Sequence, residues 1–415
     1  MLKPENVFTP RASDVNESMY IDRGDLESDL EKGLRSGMHL MIYGESGSGK
    51  TWLYKRVLKK LNIKVYIANL ANASRLKSIN AEFENLIKRE QLPKKTGFTE
   101  SKKGQLGIPA TANAELSHQN QYMIGEMEPF EAYLSHIREV AGQEKAVLVL
   151  DNLEAIWSDS NLLSELANVI TLLDDERYAF YKVTILIVGV PGDLRKYYQK
   201  TQNLATVANR IRELPEVSRM TIEQCAKLIH TGFISLLKYE IDDYNKVSSH
   251  ISWVTDRLPQ RIHEYCWELA ILGEENQGKI ESSQLNRADQ LWLKRSLASN
   301  YTVVESMMNE RDTKVGRRNQ TLYSLGLVEK EEFKWSDVEE ILRREFPDST
   351  QGLALNLPQI LSGLSASEHK TPIIKRSPKG DSYCFSDPKY RMCLRAMLRK
   401  VSDSDSVDKL PISDV

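Results

Sequence analysis

The sequence predicts an α/β protein: a parallel sheet with helices on both faces, then a small helical subdomain, then a C-terminal module of helices with one hairpin. Three observations carry this. Near-continuous apolar segments at 39–43, 64–68, 146–151 and 184–190 alternate with helical patterns, as strands buried on both faces do. The run Gly44-Glu45-Ser46-Gly47-Ser48-Gly49-Lys50-Thr51, a complete G-x-x-x-x-G-K-T, stands between the first of those strands and a helical pattern. Beyond residue 219 the alternation ends and amphipathic helical spacing takes over.

In chain order, residues 1–11 read as an extended lead-in and 26–34 as an amphipathic helix feeding the first strand. Helices are expected at 51–61, 74–89, 130–141, 162–177 and 193–201, and a short fifth strand at 212–217. The stretch 92–128 breaks the rhythm with Lys94, Lys95, Lys102, Lys103, glycines and polar residues, and reads as a flexible insertion. Thr221-Ile222-Glu223-Gln224 has capping-box spacing and opens a helix to about 238; 261–272 is a further helix stopped by Gly273. Segment 220–273 therefore reads as a helical lid after a nucleotide domain at 1–219, with 274–278 as a linker. In 281–401, helices at 301–310 and 317–325 around a turn at 312–316 have helix-turn-helix spacing. Helices at 337–345 and 357–364 follow, and 372–376 with 382–385 form a hairpin, which together make a winged-helix-like order. The tail 402–415 is acidic, poor in apolar residues and reads as disordered.

The 415 residues suit two or three domains, and 41% apolar residues are enough for ordinary cores. No apolar run approaches the roughly 20 residues a membrane span needs, and no charged-then-apolar leader precedes the first polar segment, so a cytoplasmic address is expected. Cys225, Cys266, Cys384 and Cys393 are scattered without a C-x-x-C pair, which excludes a zinc knuckle and a disulfide framework and leaves reduced, mostly buried thiols. The net charge of −2 gives no sign of nucleic acid, although basic residues gather in 287–400.

The phosphate loop is the strongest chemical signal. Its glycines let the backbone wrap closely enough for N–H groups to face phosphates, and the helix behind presents its positive end. Lys50 reaches the β- and γ-phosphates and the Thr51 hydroxyl ligates Mg²⁺. Val147-Leu148-Val149-Leu150-Asp151 is an apolar strand ending in a carboxylate that would hold Mg²⁺ through water across from Thr51. The next residue, Asn152, can orient a water but cannot take its proton, so hydrolysis is expected to be slow unless Glu154 reaches the site. The fourth strand ends Val188-Gly189-Val190-Pro191-Gly192-Asp193, with no Asn, Thr or Ser at its tip to sense a γ-phosphate.

Arg210, just before the fifth strand, is placed to project into the γ-phosphate of an adjacent subunit, with Arg212 as runner-up. Such an arginine is worth roughly 10³–10⁵-fold in rate. Arg261, in Leu258-Pro259-Gln260-Arg261, opens the second lid helix and would meet the nucleotide from above. Arg317-Arg318-Asn319-Gln320, at the start of the second helix of the helix-turn-helix, are types that pair with guanine and adenine edges. Lys375, Arg376 and Lys379 on the hairpin suit phosphate contacts, so double-stranded DNA is a candidate partner, opposed by the carboxylates of 329–332 and 337–345.

Together these residues resemble the AAA+ P-loop ATPases, and within them the initiator-like group of origin-recognition and transposition ATPases. The run 44–51, Asp151, Arg210 and Pro259-Gln260-Arg261 are similar to that family's Walker A, Walker B, arginine finger and second sensor. Tyr20-Ile21-Asp22-Arg23-Gly24-Asp25-Leu26-Glu27 resembles the short motif that wraps the adenine, with Arg23 its most telling member. The resemblance covers 15–275, and the remainder follows by domain order. It implies ATP with Mg²⁺, a homo-oligomeric ring or filament with ATP between subunits, and a switch acting on DNA or protein through the winged helix. Asn152 and the missing polar tip on the fourth strand depart from the pattern. A second class is a signalling or antiviral-defence ATPase whose C-terminal module docks an effector protein, with binding rather than turnover as the signal. A metabolic kinase fits less well, because a lid plus winged helix offers no obvious small-molecule pocket.

Overall fold

The computed structural model describes residues 2–91, 127–190, 210–309, 316–366, 371–377, 380–401 and 404–412. Most of the 92–128 insertion, the helix expected at 193–201, Pro191, Gly192, Asp193, the turn at 312–315 and Lys379 lie outside the described residues. The chain divides into two compact units, one of Asp22–Ser218 and one of Met1–Ile21 with Arg219–Val415. This departs from the expected division. The first 21 residues do not belong with the nucleotide domain, and the lid and the C-terminal module share one core.

The lead-in is not a loose extension. Its helix α1 (Pro4–Val7) delivers Val7 and Phe8 into the core, where the Phe8 and Phe233 rings lie 4.9 Å apart. Gly232 makes room: a Cβ there would stand 2.4 Å from the Phe8 ring.

In the unit Asp22–Ser218, α2 (Asp25–Arg35) leads to β1 (His39–Tyr43), then α3 (Lys50–Lys60), β2 (Lys64–Asn69), α4 (Leu70–Leu76), α5 (Ile79–Gln91) and α6 (Pro129–Ala141). β3 (Ala146–Asp151), α7 (Ser160–Leu172), α8 (Glu176–Ala179), β4 (Val183–Gly189) and β5 (Ile211–Glu213) complete it. The strands form one parallel sheet in the order β2-β3-β4-β1-β5, with Tyr43 opposite Gly189 and Leu150 opposite Ile187. Alternate strand residues feed two apolar layers. Met41, Leu148, Leu150, Ile185 and Ile187 meet Phe83, Phe130, Tyr133 and Leu166, while Leu40, Ile42, Val147, Val149, Leu186 and Val188 meet Leu30, Leu53, Tyr54 and Val57. Such two-sided burial is why the strands read as continuous apolar runs. The helix expected at 74–89 is two, because Lys77 takes a left-handed φ of 60° and the first is capped by Asn69, whose side chain accepts from the Ala71 N–H. The helix expected at 162–177 also ends early, at Leu172, and Asp175 caps α8.

In the other unit, α9 (Ile222–His230) opens with the expected capping box, the Thr221 hydroxyl and the Gln224 side chain each accepting from the other's backbone N–H. A π-helical stretch, Thr231–Leu237, follows. β6 (Glu240–Ile241), α10 (Tyr244–Val254), α11 (Pro259–Glu275), β7 (Lys279–Ile280), α12 (Leu285–Ser296) and α13 (Ala298–Met307) continue the chain. Gly273 does not stop α11. The helix runs through it to Glu275, and the glycine makes room for the Tyr239 ring, which packs 2.9 Å from where a Cβ would be. Nor is 274–278 a linker, since it turns the chain into β7, which pairs with β6.

The last segment comprises α14 (Arg317–Leu327), α15 (Trp335–Glu345), α16 (Pro347–Thr350), α17 (Leu357–Ser365), the hairpin β8 (Ile374–Arg376) and β9 (Tyr383–Phe385), α18 (Lys389–Met397), β10 (Leu398–Lys400) and β11 (Val407–Lys409). Phe333 bridges to Tyr383 beside the hairpin. The disordered tail is corrected by β11, which pairs antiparallel with β10 and places Leu398 opposite Lys409.

Buried charge joins the end of α10 and α12 to this segment. Arg391 and Arg395 on α18 both meet Asp256, at 2.7 and 3.0 Å, and Arg219 adds a third guanidinium at 3.2 Å. Just past α18, Arg399 on β10 meets the fully buried Asp289, which also holds His250 Nε2 and the Tyr265 hydroxyl.

Candidate nucleotide site

The loop after β1 is built by what its glycines permit. Gly44 lies so close to the following chain that a Cβ would stand 2.4 Å from the Val217 carbonyl oxygen. Gly47 and Gly49 take φ of 86° and 94°, a region that side chains resist. Ser48 is fully buried at the centre of the turn, and its Oγ has no hydrogen-bond partner among the described residues. Lys50 is the first residue of α3, and its Nζ folds over the loop to donate to the Gly44 carbonyl at 2.7 Å and the Glu45 carbonyl at 2.9 Å. Burial lowers the Lys50 pKa; Glu154, then Asp151, Glu45 and Glu216, push the other way. Left-handed glycines, a helix start and an ammonium thus meet in one loop, a combination suited to an anion.

Asp151 ends β3, two strands away from β1 with β4 between. Its Oδ1 accepts from the Asn152 N–H at 2.8 Å, and its Oδ2 accepts from the Tyr54 hydroxyl at 3.4 Å. Burial, followed by the Asp151 charge, pushes the Tyr54 phenol well up, so it stays protonated and donates. Sequence reasoning missed Tyr54. The available signal was its spacing, three residues after Thr51 and four after Lys50, which puts all three on one side of α3.

Asn152 sits in a left-handed turn at φ 62°, and its Nδ2 donates to Asn69 Oδ1 at 3.1 Å. Its amide is therefore engaged at the end of β2. Glu154, on the 3-10 turn Leu153–Ile156, is exposed and is the carboxylate that acts most strongly on Lys50. Gly189, at the end of β4, lets Leu153 approach closely: its side chain would lie 3.1 Å from a Cβ there. Arg23 is nearly buried and braces the loop: Nη1 donates to the Ser48 carbonyl at 3.1 Å and Nη2 to the Ser218 carbonyl.

Arg210 stands at the other edge of the sheet. Its neighbour Ile211 pairs with His39 at the start of β1, so the length of that five-residue strand, roughly 15 Å, separates it from its own loop. Its Nε pairs with Asp174 at 2.7 Å. Arg212 is exposed on β5. Arg261 belongs to the other unit, where its Nη1 is held by both Glu264 oxygens at 2.8 and 2.7 Å within α11.

The base-reading group at 317–320 is corrected. Gln320 is fully buried, with its amide donating to Ser349 Oγ at 3.0 Å and to the Asp405 carbonyl, while Arg317 donates to Gln320 Oε1 and to the Ser349 carbonyl. Asn319 Oδ1 accepts from the Asn309 N–H. These polar groups pin the start of α14 to neighbouring backbone, so the helix faces inward, and only Arg318 keeps a partly exposed side chain without such a bond shown. On the hairpin Lys375 and Arg376 are exposed, the latter over the Tyr383 ring.

Comparison with known proteins agrees with this geometry. Residues 34–198, from the end of α2 through the phosphate loop, Asp151 and β4, match the family described as AAA domain. These residues form an AAA domain. Its fold is that of the AAA+ P-loop ATPases, and such a domain binds nucleotide. Among solved structures, the chain is similar to a Walker-type ATPase of Pyrococcus abyssi, with 14% identity and a TM-score of 0.50 over 91% of this chain and 96% of that one. It also aligns with the Aeropyrum pernix ORC2 protein in its ADPNP-ADP complexes (13% identity, TM-score 0.49, 90% and 92% covered). A third is the Aeropyrum pernix ORC1 protein in complex with DNA (15% identity, TM-score 0.46, 95% and 96% covered). No curated protein matches the sequence. Among the described residues, no helix is long and apolar enough to cross a membrane.

Proposed function

We propose that this AAA domain is an ATP-dependent switch of the initiator-like kind, one that assembles with ATP between subunits and acts on a DNA or protein partner through its C-terminal module. The observation that carries the reading is the loop itself: a turn only Gly44 can occupy, an orphaned Ser48 hydroxyl and Lys50 folded above it. Lys50 would transfer its hydrogen bonds from the loop carbonyls to β- and γ-phosphate oxygens. Thr51 and Asp151 offer the hard oxygens that Mg²⁺ prefers. An ion held by Thr51 and Asp151 would complete its shell with water and the nucleotide's phosphate oxygens. When bound, it would neutralise charge on those phosphates.

Because Arg210 cannot reach its own loop, its reading as an arginine finger requires a neighbouring subunit. The experiment is light scattering of wild type and K50A with and without ATP: ATP-dependent assembly of wild type alone is expected, and equal monomers in all four samples would refute the switch.

For the C-terminal module, the order α14, Phe333 bridge, α15, α17, hairpin supports a winged-helix reading, with α17 rather than α14 in the second-helix position. α17 contains no Lys or Arg and exposes Pro358, Gln359 and Ser362, so any grip on DNA phosphates falls to Lys375 and Arg376. A binding constant that falls steeply with salt would support DNA as the partner, and one indifferent to salt would support protein. A second reading, a signalling or antiviral-defence ATPase that turns over slowly while regulating an effector, is favoured by one observation: the Asn152 amide is spent on Asn69. Under either reading Glu154 is the carboxylate left to activate water. E154Q should abolish residual hydrolysis while leaving nucleotide affinity within about twofold.

A further inference from the structure

We propose that Tyr54 is a positioning residue for the cation site, orienting Asp151 through its phenol; the inference rests on the nucleotide and Mg²⁺ reading above. Tyr54 is fully buried in the apolar layer of Leu53, Val57, Val147, Val149 and Val188. A hydroxyl there costs stability unless it is hydrogen-bonded, and a phenylalanine would fill the same space without that cost. Its bond goes to Asp151 Oδ2, while the Asn152 N–H occupies Oδ1, so each carboxylate oxygen has one donor. A carboxylate oxygen has room for a further partner on its second lone pair. Two donors from different elements, one on the following residue and one on α3, set the rotation of a side chain that ends a strand.

The connection also has a mechanical consequence. α3 begins with Lys50 and Thr51, and Tyr54 is one turn further on. The helix that carries the phosphate-binding lysine and the cation-binding hydroxyl therefore also holds the carboxylate contributed by β3. Removing a hydrogen-bond donor that orients a metal ligand typically costs about 10–100-fold in metal affinity.

The test uses full-length wild type and Y54F, with a fluorescent N-methylanthraniloyl ATP as probe, first in EDTA and then titrated with MgCl₂. T51A, which removes a proposed ligand, verifies that the titration senses the cation site. The expected result is that Y54F needs about tenfold more Mg²⁺ for half-maximal effect, with probe affinity in EDTA and melting temperature unchanged. A Y54F titration that superimposes on wild type overturns the proposal, and so does an equal loss of affinity with and without Mg²⁺, which would mean that the phenol supports the pocket as a whole. Should wild type bind the probe without any Mg²⁺ dependence, the cation site is wrong while the nucleotide site stands; should it bind no probe, both fall.

Discussion

His263 shows how a single buried residue ties folding to pH. Its Nδ1 accepts from the Thr9 N–H at 3.2 Å, and burial lowers its pKa from 6.5 to about 4. Between those values the unfolded chain takes up a proton that the folded chain refuses, so stability falls as pH drops from about 6.5 towards 4 and levels off below. The difference corresponds to about 3 kcal/mol. Urea unfolding of wild type and H263Q across that range should show a steeper loss for wild type; parallel curves would refute the assignment. At this scale Lys50, Thr51 and Asp151 were legible in the sequence because the loop pattern has few other uses. Gln320 was misread, because a polar residue at a helix start looks the same whether it faces a base or a buried carbonyl. Tyr54 was overlooked because its spacing from Lys50 and Thr51 places it on their side of the helix without saying which group its hydroxyl meets.

Elements were legible where local chemistry decides them. The capping box at Thr221 and Gln224 is written in the residues, as are the four long strands. The breaks at Lys77 and Leu172 were not, since ordinary residues took the turn conformation under packing. The junction of α1 with the π-helical stretch gives a direct test of packing. G232A should drive the Phe8 ring aside and cost about 1–3 kcal/mol, as overfilled cores do. F8A should cost about 3–5 kcal/mol. In the double variant the clash has no target, so its stability should equal that of F8A alone; simple additivity would show that the two do not interact.

At the scale of the whole molecule, the unit containing the lid and C-terminal helices depends on buried carboxylates facing several arginines. Asp256 has a left-handed φ of 54°, which asparagine tolerates, so D256N removes the charge and spares the backbone. It should cost about 3–5 kcal/mol, because Arg395 is left buried without its counter-charge and Arg391 keeps only the exposed Glu331 at 3.2 Å. A chemical denaturation midpoint unchanged from wild type would refute the clamp. Assembly is tested separately: R210A should bind nucleotide like wild type but lose ATP-dependent growth in particle mass, whereas loss of nucleotide binding would place Arg210 at its own subunit's loop.

The residues alone determined the phosphate loop, its partner carboxylate and the parallel sheet between them, because backbone wrapping, a helix start and two-sided burial each demand particular residues at fixed short spacing. Only the tertiary structure decided that the first 21 residues belong with the second unit, that Gln320 faces inward, that the tail pairs as a strand, and that Tyr54 holds Asp151. All but the tail pairing depend on a partner tens to hundreds of residues away, and neither propensity nor periodicity records which group a side chain or strand will meet.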